Sequence, residues 1–220
     1  MIYVMSDLHG CYDKYIQMLN KINFNNEDTL YILGYICDRG GNPIKILLHM
    51  MNHDNIIPIF GNHDVDALIS IEKILNNDID NTIRYWLADG GNTTLDEFEM
   101  LDDKLKRDLL VYLSDFRYYQ ELTVNNIDYV LVHGGLKDFN EAKSLDSYNL
   151  LDLVWTRPDY DKVYYKNRII ISGHTPTLHI DSSMKGKIIK KNNHIAIDTG
   201  CVFGYGLACI CLDNMEEYYV

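Results

Sequence analysis

The stretch Thr29–Gly41 has the sequence TLYILGYICDRGG, an apolar run that stops at Gly34 and continues into a loop carrying Asp38 and Arg39. A short apolar run that ends abruptly in this way is typical of a buried strand. In open α/β sheets, ligands bind outside the carboxyl ends of the strands, so polar residues at those ends can converge even when they are distant in sequence. The stretch therefore predicts a sheet with a functional site at its edge.

Four other stretches follow the same pattern: IYVMSDLHG (Ile2–Gly10), IIPIFGNHD (Ile56–Asp64), DYVLVHGG (Asp128–Gly135) and RIIISGHTP (Arg168–Pro176). A single Asp or His after a strand is usually only a turn or capping residue. Five such strand ends together favour a shared site instead. Their Asp, Asn and His side chains are oxygen and nitrogen donors that suit divalent manganese, iron, zinc or nickel, and no strand end offers a paired thiolate site.

Bulk composition indicates one globular domain over residues 1–220. The chain is 47% hydrophobic and 24% charged, and it has a net charge of −12, which argues against a nucleic-acid-binding surface. An anionic substrate would need local positive charge from metals or arginines. With five cysteines, no apolar stretch of about 18 residues and no signal-peptide pattern, we expect a soluble cytoplasmic protein with no membrane contact. The sequence does not predict an oligomeric state.

Strand and helix patterns alternate up to about residue 75, which favours a parallel α/β half. Residues 78–113 carry helical periodicity and are interpreted as an insertion near the site, with Thr93 and Thr94 capping one helix and Asp102 the next. From Phe116 onward the pattern changes to strands joined by Asn-rich turns, which predicts an antiparallel sheet. Two sheets packed on each other, with helices outside, would place the five strand ends along one edge.

The motifs SDLHG, GYICDRG, GNHD, VHGGL and SGHTP, in this order, resemble those of the metal-dependent phosphoprotein phosphatase superfamily, usually GDxHG, GDxxDRG, GNHE, HGG and GHT. The segments WLADGGNTTLDEF, WTRPDYDK and HIAIDTGCVFGYGLACICLD resemble its bacterial branch. That branch includes bacteriophage lambda phosphatase, bacterial serine/threonine phosphatases and symmetrical diadenosine tetraphosphate hydrolases. The resemblance implies a calcineurin-like four-layer αββα sandwich, with two mixed sheets flanked by helices. It also implies two divalent metal ions, manganese first and iron, zinc or nickel as alternatives.

The resemblance also implies roles for individual residues. The residues that match metal ligands are Asp7 and His9 for one ion, and Asn62, His133 and His174 for the other. His63 matches the catalytic histidine, and Asp38 matches the carboxylate that positions it. Arg39 matches a phosphate-binding arginine, with Asn62 beside it, and Arg157 in WTRP is the candidate for a second phosphate-binding arginine.

One position departs from the pattern, because Tyr35 stands where the family has the aspartate that bridges the two metals. A carboxylate offers two oxygens on a short stem, whereas a tyrosine offers one oxygen at the end of a ring and is neutral up to about pH 10. Tyr35 could lie over or beside the pocket and weaken a metal site, or its phenolate could ligate a metal directly; the longer side chain favours the first interpretation. The second departure, Asp64 in place of Glu, is expected to be mild.

Three functions fit these residues. The leading hypothesis is a metal-dependent phosphatase of phosphomonoesters, including phosphorylated proteins and peptides, that attacks with a metal-bridging hydroxide and is impaired by Tyr35. An alternative enzyme is a hydrolase of diadenosine tetraphosphate or a related nucleotide. The non-enzymatic alternative is a pseudophosphatase that binds a phosphorylated partner without cleaving it, and Tyr35 is its only support.

Overall fold

The computed structural model describes residues 1–220 and contains two five-stranded sheets. The first sheet has the strand order β10-β9-β1-β2-β3. Its strands are β1 (Ile2–Met5), β2 (Thr29–Leu33), β3 (Ile56–Ile59), β9 (Ala208–Cys211) and β10 (Glu217–Tyr219). Strands β1, β2 and β3 run parallel, and β9 is antiparallel to both β1 and β10. The carboxyl ends of β1 to β3 therefore meet at one edge.

The second sheet has the strand order β4-β5-β6-β8-β7. Its strands are β4 (Gln120–Val124), β5 (Ile127–Val132), β6 (Arg168–Ser172), β7 (Ile189–Lys191) and β8 (His194–Ala196). Strands β5, β6 and β8 run parallel, whereas β4 and β7 are the antiparallel partners at the two edges. The predicted hairpin turns at Asn125–Asn126 and Asn192–Asn193 are both formed, and all four asparagines have positive φ.

Eight α-helices cover the sheets. They are α1 (Tyr12–Lys21), α2 (Pro43–Met51), α3 (Asn62–Leu75), α4 (Asn81–Trp86), α5 (Asn92–Glu99), α6 (Asp103–Ser114), α7 (Leu150–Val154) and α8 (Thr177–Ile180). A π-helical turn, Leu87–Gly91, joins α4 to α5, so helices fill the segment in which an insertion was predicted. No helix combines the length and the apolar character that crossing a membrane would require.

The core is divided among the layers. One hydrophobic cluster lies between the two sheets and holds them together. In it, the first sheet contributes Val4, Leu33 and Ile210, and the second contributes Leu131 and Ile171. A larger cluster lies between the first sheet and helices α1, α2, α3, α5 and α6, and a smaller one covers β5 and β6 on the side of α7. This arrangement confirms the predicted αββα sandwich of two mixed sheets flanked by helices.

The predicted antiparallel C-terminal sheet is wrong in two respects. Strands β5, β6 and β8 are parallel, because segments containing helices separate them and carry the chain back to the same end of the sheet. Strand β9 leaves this half of the chain and pairs with β1. The consequence is functional, since the parallel arrangement brings the ends of β5, β6 and β8 to the edge where β1 and β2 also end.

Asp64 fixes the loop after β2 to the start of α3. Its buried carboxylate accepts the backbone N–H groups of Tyr35 at 2.8 Å, Ile36 at 2.9 Å, Cys37 at 3.0 Å and Gly61 at 2.9 Å. Burial raises the pKa of this carboxyl, and the backbone hydrogen bonds oppose that rise. The short aspartate is therefore the anchor of the Tyr35 loop.

We expect Asp64→Asn to destabilise the fold by about 3 kcal/mol, because hydrogen bonds to a charged group are worth about 1.5–3 kcal/mol each and the amide end of Asn would face N–H donors. Urea unfolding followed by circular dichroism measures the change. Asp66→Asn, two residues along the same helix, is the matched control. An unchanged urea midpoint in Asp64→Asn would show that this carboxylate does not hold the loop.

Candidate active site

The strand ends hold an unusual concentration of left-handed backbone. The non-glycine residues with positive φ there are Asp7 (57°), His9 (41°), Tyr35 (55°), Asp38 (72°), Arg39 (68°) and His174 (62°). Residues other than glycine adopt this backbone conformation at a cost in conformational energy. Such residues cluster at functional sites, where the surrounding structure holds them in place. Here the backbone turns sharply after each strand and directs the polar side chains toward one point.

The side chain of Tyr35 occupies the middle of this cluster. Its ring centroid lies 4.3 Å from that of His9, 4.2 Å from that of His133 and 4.7 Å from that of His63. Its hydroxyl forms a 2.8 Å hydrogen bond with Nδ1 of His174. Burial, with the Asp7 carboxylate nearby, raises the pKa of the phenol above its ordinary value, so the side chain is neutral.

The second predicted set of metal ligands fits one divalent ion. Three buried atoms in this set have no hydrogen-bond partner: Oδ1 of Asn62, Nε2 of His133 and Nε2 of His174. The Nδ1–H of His133 donates to the carbonyl of Leu33 at 2.7 Å, which leaves Nε2 free with its lone pair. Burial lowers the pKa of both histidines, to about 3 for His174, so the rings are neutral and can act as ligands.

The first set does not fit a metal site in the same way. The Asp7 carboxylate accepts from Ser6 and from the backbone N–H of His174, and Nε2 of His9 faces Nη1 of Arg39 at 3.3 Å. The ring of Tyr35 stands between His9 and His133. No three His, Cys, Asp or Glu side chains surround a common point closely enough to hold an ion. By the chemistry of their free donor atoms, Asn62, His133 and His174 therefore suit one ion, whereas the first set has no comparable free donors to complete a dinuclear pair while Tyr35 keeps this position.

Asp198 belongs to the site, and the sequence analysis missed it. It is buried, lines the same cavity as Asp7 and follows β8, just as the predicted residues follow their strands. Burial raises its pKa to about 6, and the two carboxyl groups interact directly. The signal was present in HIAIDTG, another apolar run that ends in Asp before a glycine.

The helical insertion orients the predicted catalytic pair. Nδ1 of His63 lies 2.7 Å from Oδ2 of Asp38. The indole N–H of Trp86 donates to the same carboxylate at 3.0 Å, and the hydroxyl of Thr94 donates to its Oδ1 at 2.7 Å. Thr94 was predicted to cap a helix, but α5 already begins at Asn92, and the hydroxyl serves Asp38 instead. The buried carboxylate is thus held by the Trp86 indole and the Thr94 hydroxyl, and it in turn fixes the ring of His63.

The two arginines line a common cavity of about 480 Å³ with Asp7, Tyr35 and His174. Nη1 of Arg157 donates to the carbonyl of His174 at 3.2 Å and to the hydroxyl of Thr175 at 3.0 Å. The far side of the cavity is less polar, with Pro176, Val202 and the half-exposed ring of Phe203. The structure therefore brings all the predicted site residues to one edge of the sandwich, and both Arg39 and Arg157 line the cavity there.

Two of the known proteins that this chain resembles in sequence are bis(5'-nucleosyl)-tetraphosphatases. An asymmetrical bis(5'-nucleosyl)-tetraphosphatase, PrpE, of Anoxybacillus flavithermus is 23% identical over all of this chain and 94% of its own length. A symmetrical bis(5'-nucleosyl)-tetraphosphatase of Haemophilus ducreyi is 37% identical, but over 34% of this chain and 30% of its own length. The chain thus spans about a third of the length of the symmetrical enzyme that it matches.

Solved structures share the fold. A crystal structure provisionally assigned as a diadenosine tetraphosphatase superposes with a TM-score of 0.70 and 15% identity over all of this chain and 92% of that one. A serine/threonine phosphatase of Saccharomyces cerevisiae superposes with a TM-score of 0.60 and 15% identity over 90% of this chain and 66% of that one. The family model for calcineurin-like phosphoesterases matches residues 1–204. The chain therefore belongs to the calcineurin-like phosphoesterases, a family of hydrolases that use a dinuclear divalent metal centre.

Proposed function

We propose that this chain hydrolyses dinucleoside polyphosphates, such as diadenosine tetraphosphate, at a phosphoanhydride bond. The observation that carries the proposal is the cavity, which joins two arginines to an apolar wall formed by Pro176, Val202 and Phe203. An arginine fork binds phosphate oxygens two at a time, and an aromatic surface suits a nucleobase. A lone phosphate group could use both arginines, but it would have no use for the apolar wall.

The side chains of the site have distinct parts in this reaction. A divalent ion bound by Asn62, His133 and His174 would polarise a phosphoryl oxygen and lower the pKa of a bound water. Arg39 and Arg157 hold neighbouring phosphates in the cavity. His63, oriented by Asp38, stands where it can protonate the departing phosphate oxygen, since its Nε2 has no hydrogen-bond partner in the protein.

The relatives favour this substrate over the phosphomonoesters that the sequence placed first. The curated relative that spans the whole chain is a bis(5'-nucleosyl)-tetraphosphatase, and the structure with a TM-score of 0.70 is assigned to the same activity. A phosphoprotein substrate has support from solved structures alone, namely the yeast phosphatase and protein tyrosine phosphatases, and likeness at about 15% identity shows only the fold. The full-length relative therefore carries more weight than any of the solved structures. The pseudophosphatase hypothesis has Tyr35 alone in its favour, whereas the orientation of His63 by Asp38 argues for turnover.

Product analysis tests the proposal. The chain and its Tyr35→Asp variant are incubated with manganese and diadenosine tetraphosphate, and the nucleotides are separated by chromatography. ADP as the sole product indicates cleavage at the central anhydride, and ATP with AMP indicates cleavage beside it; EDTA abolishes both. A kcat/KM for a phosphopeptide above that for diadenosine tetraphosphate would contradict the proposal and restore the phosphomonoesterase hypothesis.

A further inference from the structure

Asp89 links the two groups that meet the substrate phosphate. Its Oδ1 accepts from Nη2 of Arg39 at 2.8 Å, and its Oδ2 lies 3.4 Å from Nε2 of His63, without a hydrogen bond between them. The residue lies on the π-helical turn Leu87–Gly91, within the WLADGGNTTLDEF segment but outside the five strand-end motifs that predicted the site. The Asp89 carboxylate thus occupies the position from which a phosphate group could contact both Arg39 and His63.

The backbone keeps this carboxylate in place. The N–H of Arg39 donates to the carbonyl of Gly90 at 3.0 Å, and Nε of Arg39 reaches the carbonyl of Asp89 at 3.4 Å. Gly90 has a φ of 104°, and a Cβ there would lie 2.7 Å from Cγ of Arg39. The turn is therefore fitted to the Arg39 loop by close backbone contact, which keeps the backbone of Asp89, and with it the short carboxylate, beside the site.

The contact itself is weak enough for a substrate to displace. The Asp89 side chain is 57% exposed, and exposed ion pairs are worth about 0–1 kcal/mol. After displacement, the negative charge stays beside the bound phosphate. That repulsion depends on the charge of the phosphate: a terminal phosphomonoester carries nearly two negative charges at neutral pH, whereas each internal phosphate of a polyphosphate chain carries one.

We propose that Asp89 is a specificity-determining residue that selects singly charged internal phosphates against doubly charged terminal ones at the Arg39 and His63 position. This inference rests on the proposed function and names the part of the site that discriminates between a dinucleoside polyphosphate and a phosphomonoester. Asp89 contributes no bond to the reaction. It acts through the charge that it places beside the phosphate.

Anion binding tests the inference without turnover. Inorganic phosphate and dimethyl phosphate are titrated at about pH 8, where the first is mainly a dianion and the second a monoanion. EDTA is present throughout, and the histidine ring NMR signals report binding. Asp89→Asn is compared with the natural chain and with Asp96→Asn, which removes the same charge from an exposed position on α5. We expect Asp89→Asn to bind inorganic phosphate about three- to tenfold more tightly and dimethyl phosphate at most twofold more tightly, with no change in Asp96→Asn.

Equal tightening for both anions would overturn the inference, because Asp89 would then block the site without discriminating by charge. No tightening for either anion would overturn it as well. In turnover, Asp89→Asn should raise the ratio of kcat/KM for p-nitrophenyl phosphate to that for diadenosine tetraphosphate by a similar factor. If diadenosine tetraphosphate is not hydrolysed at all, the proposed function fails, while the anion titration still decides the role of Asp89.

Discussion

Replacing Tyr35 by aspartate is expected to raise manganese-dependent hydrolysis by about 100-fold or more. The ring of Tyr35 lies between His9 and His133, and the neutral phenol supplies neither the charge nor the second oxygen of a bridging carboxylate. Aspartate removes the ring and tolerates the positive φ of 55° at this position better than most residues. Asp7 and His9 would then be free to hold one metal ion, next to the ion held by Asn62, His133 and His174.

Tyr35→Phe is the matched control for this prediction. It keeps the ring but removes the hydroxyl that bonds His174, so it should leave hydrolysis as slow as in the natural chain. Manganese titration by calorimetry gives a readout apart from turnover, and we expect two ions per Tyr35→Asp chain and at most one per natural chain. If the natural chain and Tyr35→Asp hydrolyse substrate equally fast, the ring does not obstruct the metals and Tyr35 has a working place in the site.

The strand-end pattern was sufficient to predict that most of these polar residues converge at one edge of the sandwich. Each apolar run followed by Asp, Asn or His turned out to be a strand of the sandwich, and parallel strands necessarily end at one edge. The same rule applied to HIAIDTG would have added Asp198. It failed there because this stretch was interpreted only as one arm of an antiparallel hairpin, although β8 also pairs in parallel with β6.

The contribution of the helical insertion could not be predicted in the same way. Helical periodicity identifies the apolar face of a helix, but it does not say which distant group a polar residue on that helix will contact. Trp86 and Thr94 bind Asp38, and Asp89 reaches Arg39, across about 50 residues of sequence. The pairing of β9 with β1 is equally non-local, since a strand pattern does not specify its partner.

Substitution of His63 by asparagine is expected to lower turnover by about 10²–10⁴-fold, the usual contribution of a positioned general acid or base. The ring is buried and is held by Asp38 at 2.7 Å, and its Nε2 has no hydrogen-bond partner in the protein. His179→Asn is the matched control, because His179 lines the cavity that holds Arg39 and Arg157 but is exposed and bonds no carboxylate. Substrate affinity, measured as KM, should change far less than kcat.

Varying the basicity of the leaving group distinguishes proton donation by His63 from a merely structural role. A proton donor matters most when the departing oxygen is strongly basic, so His63→Asn should slow phenyl phosphate hydrolysis more than that of p-nitrophenyl phosphate. Measuring kcat for both esters, in the Tyr35→Asp background for signal, gives this comparison. An equal loss for the two esters would mean that His63 does not protonate the leaving group and that its bond to Asp38 serves only to pack the ring against Tyr35.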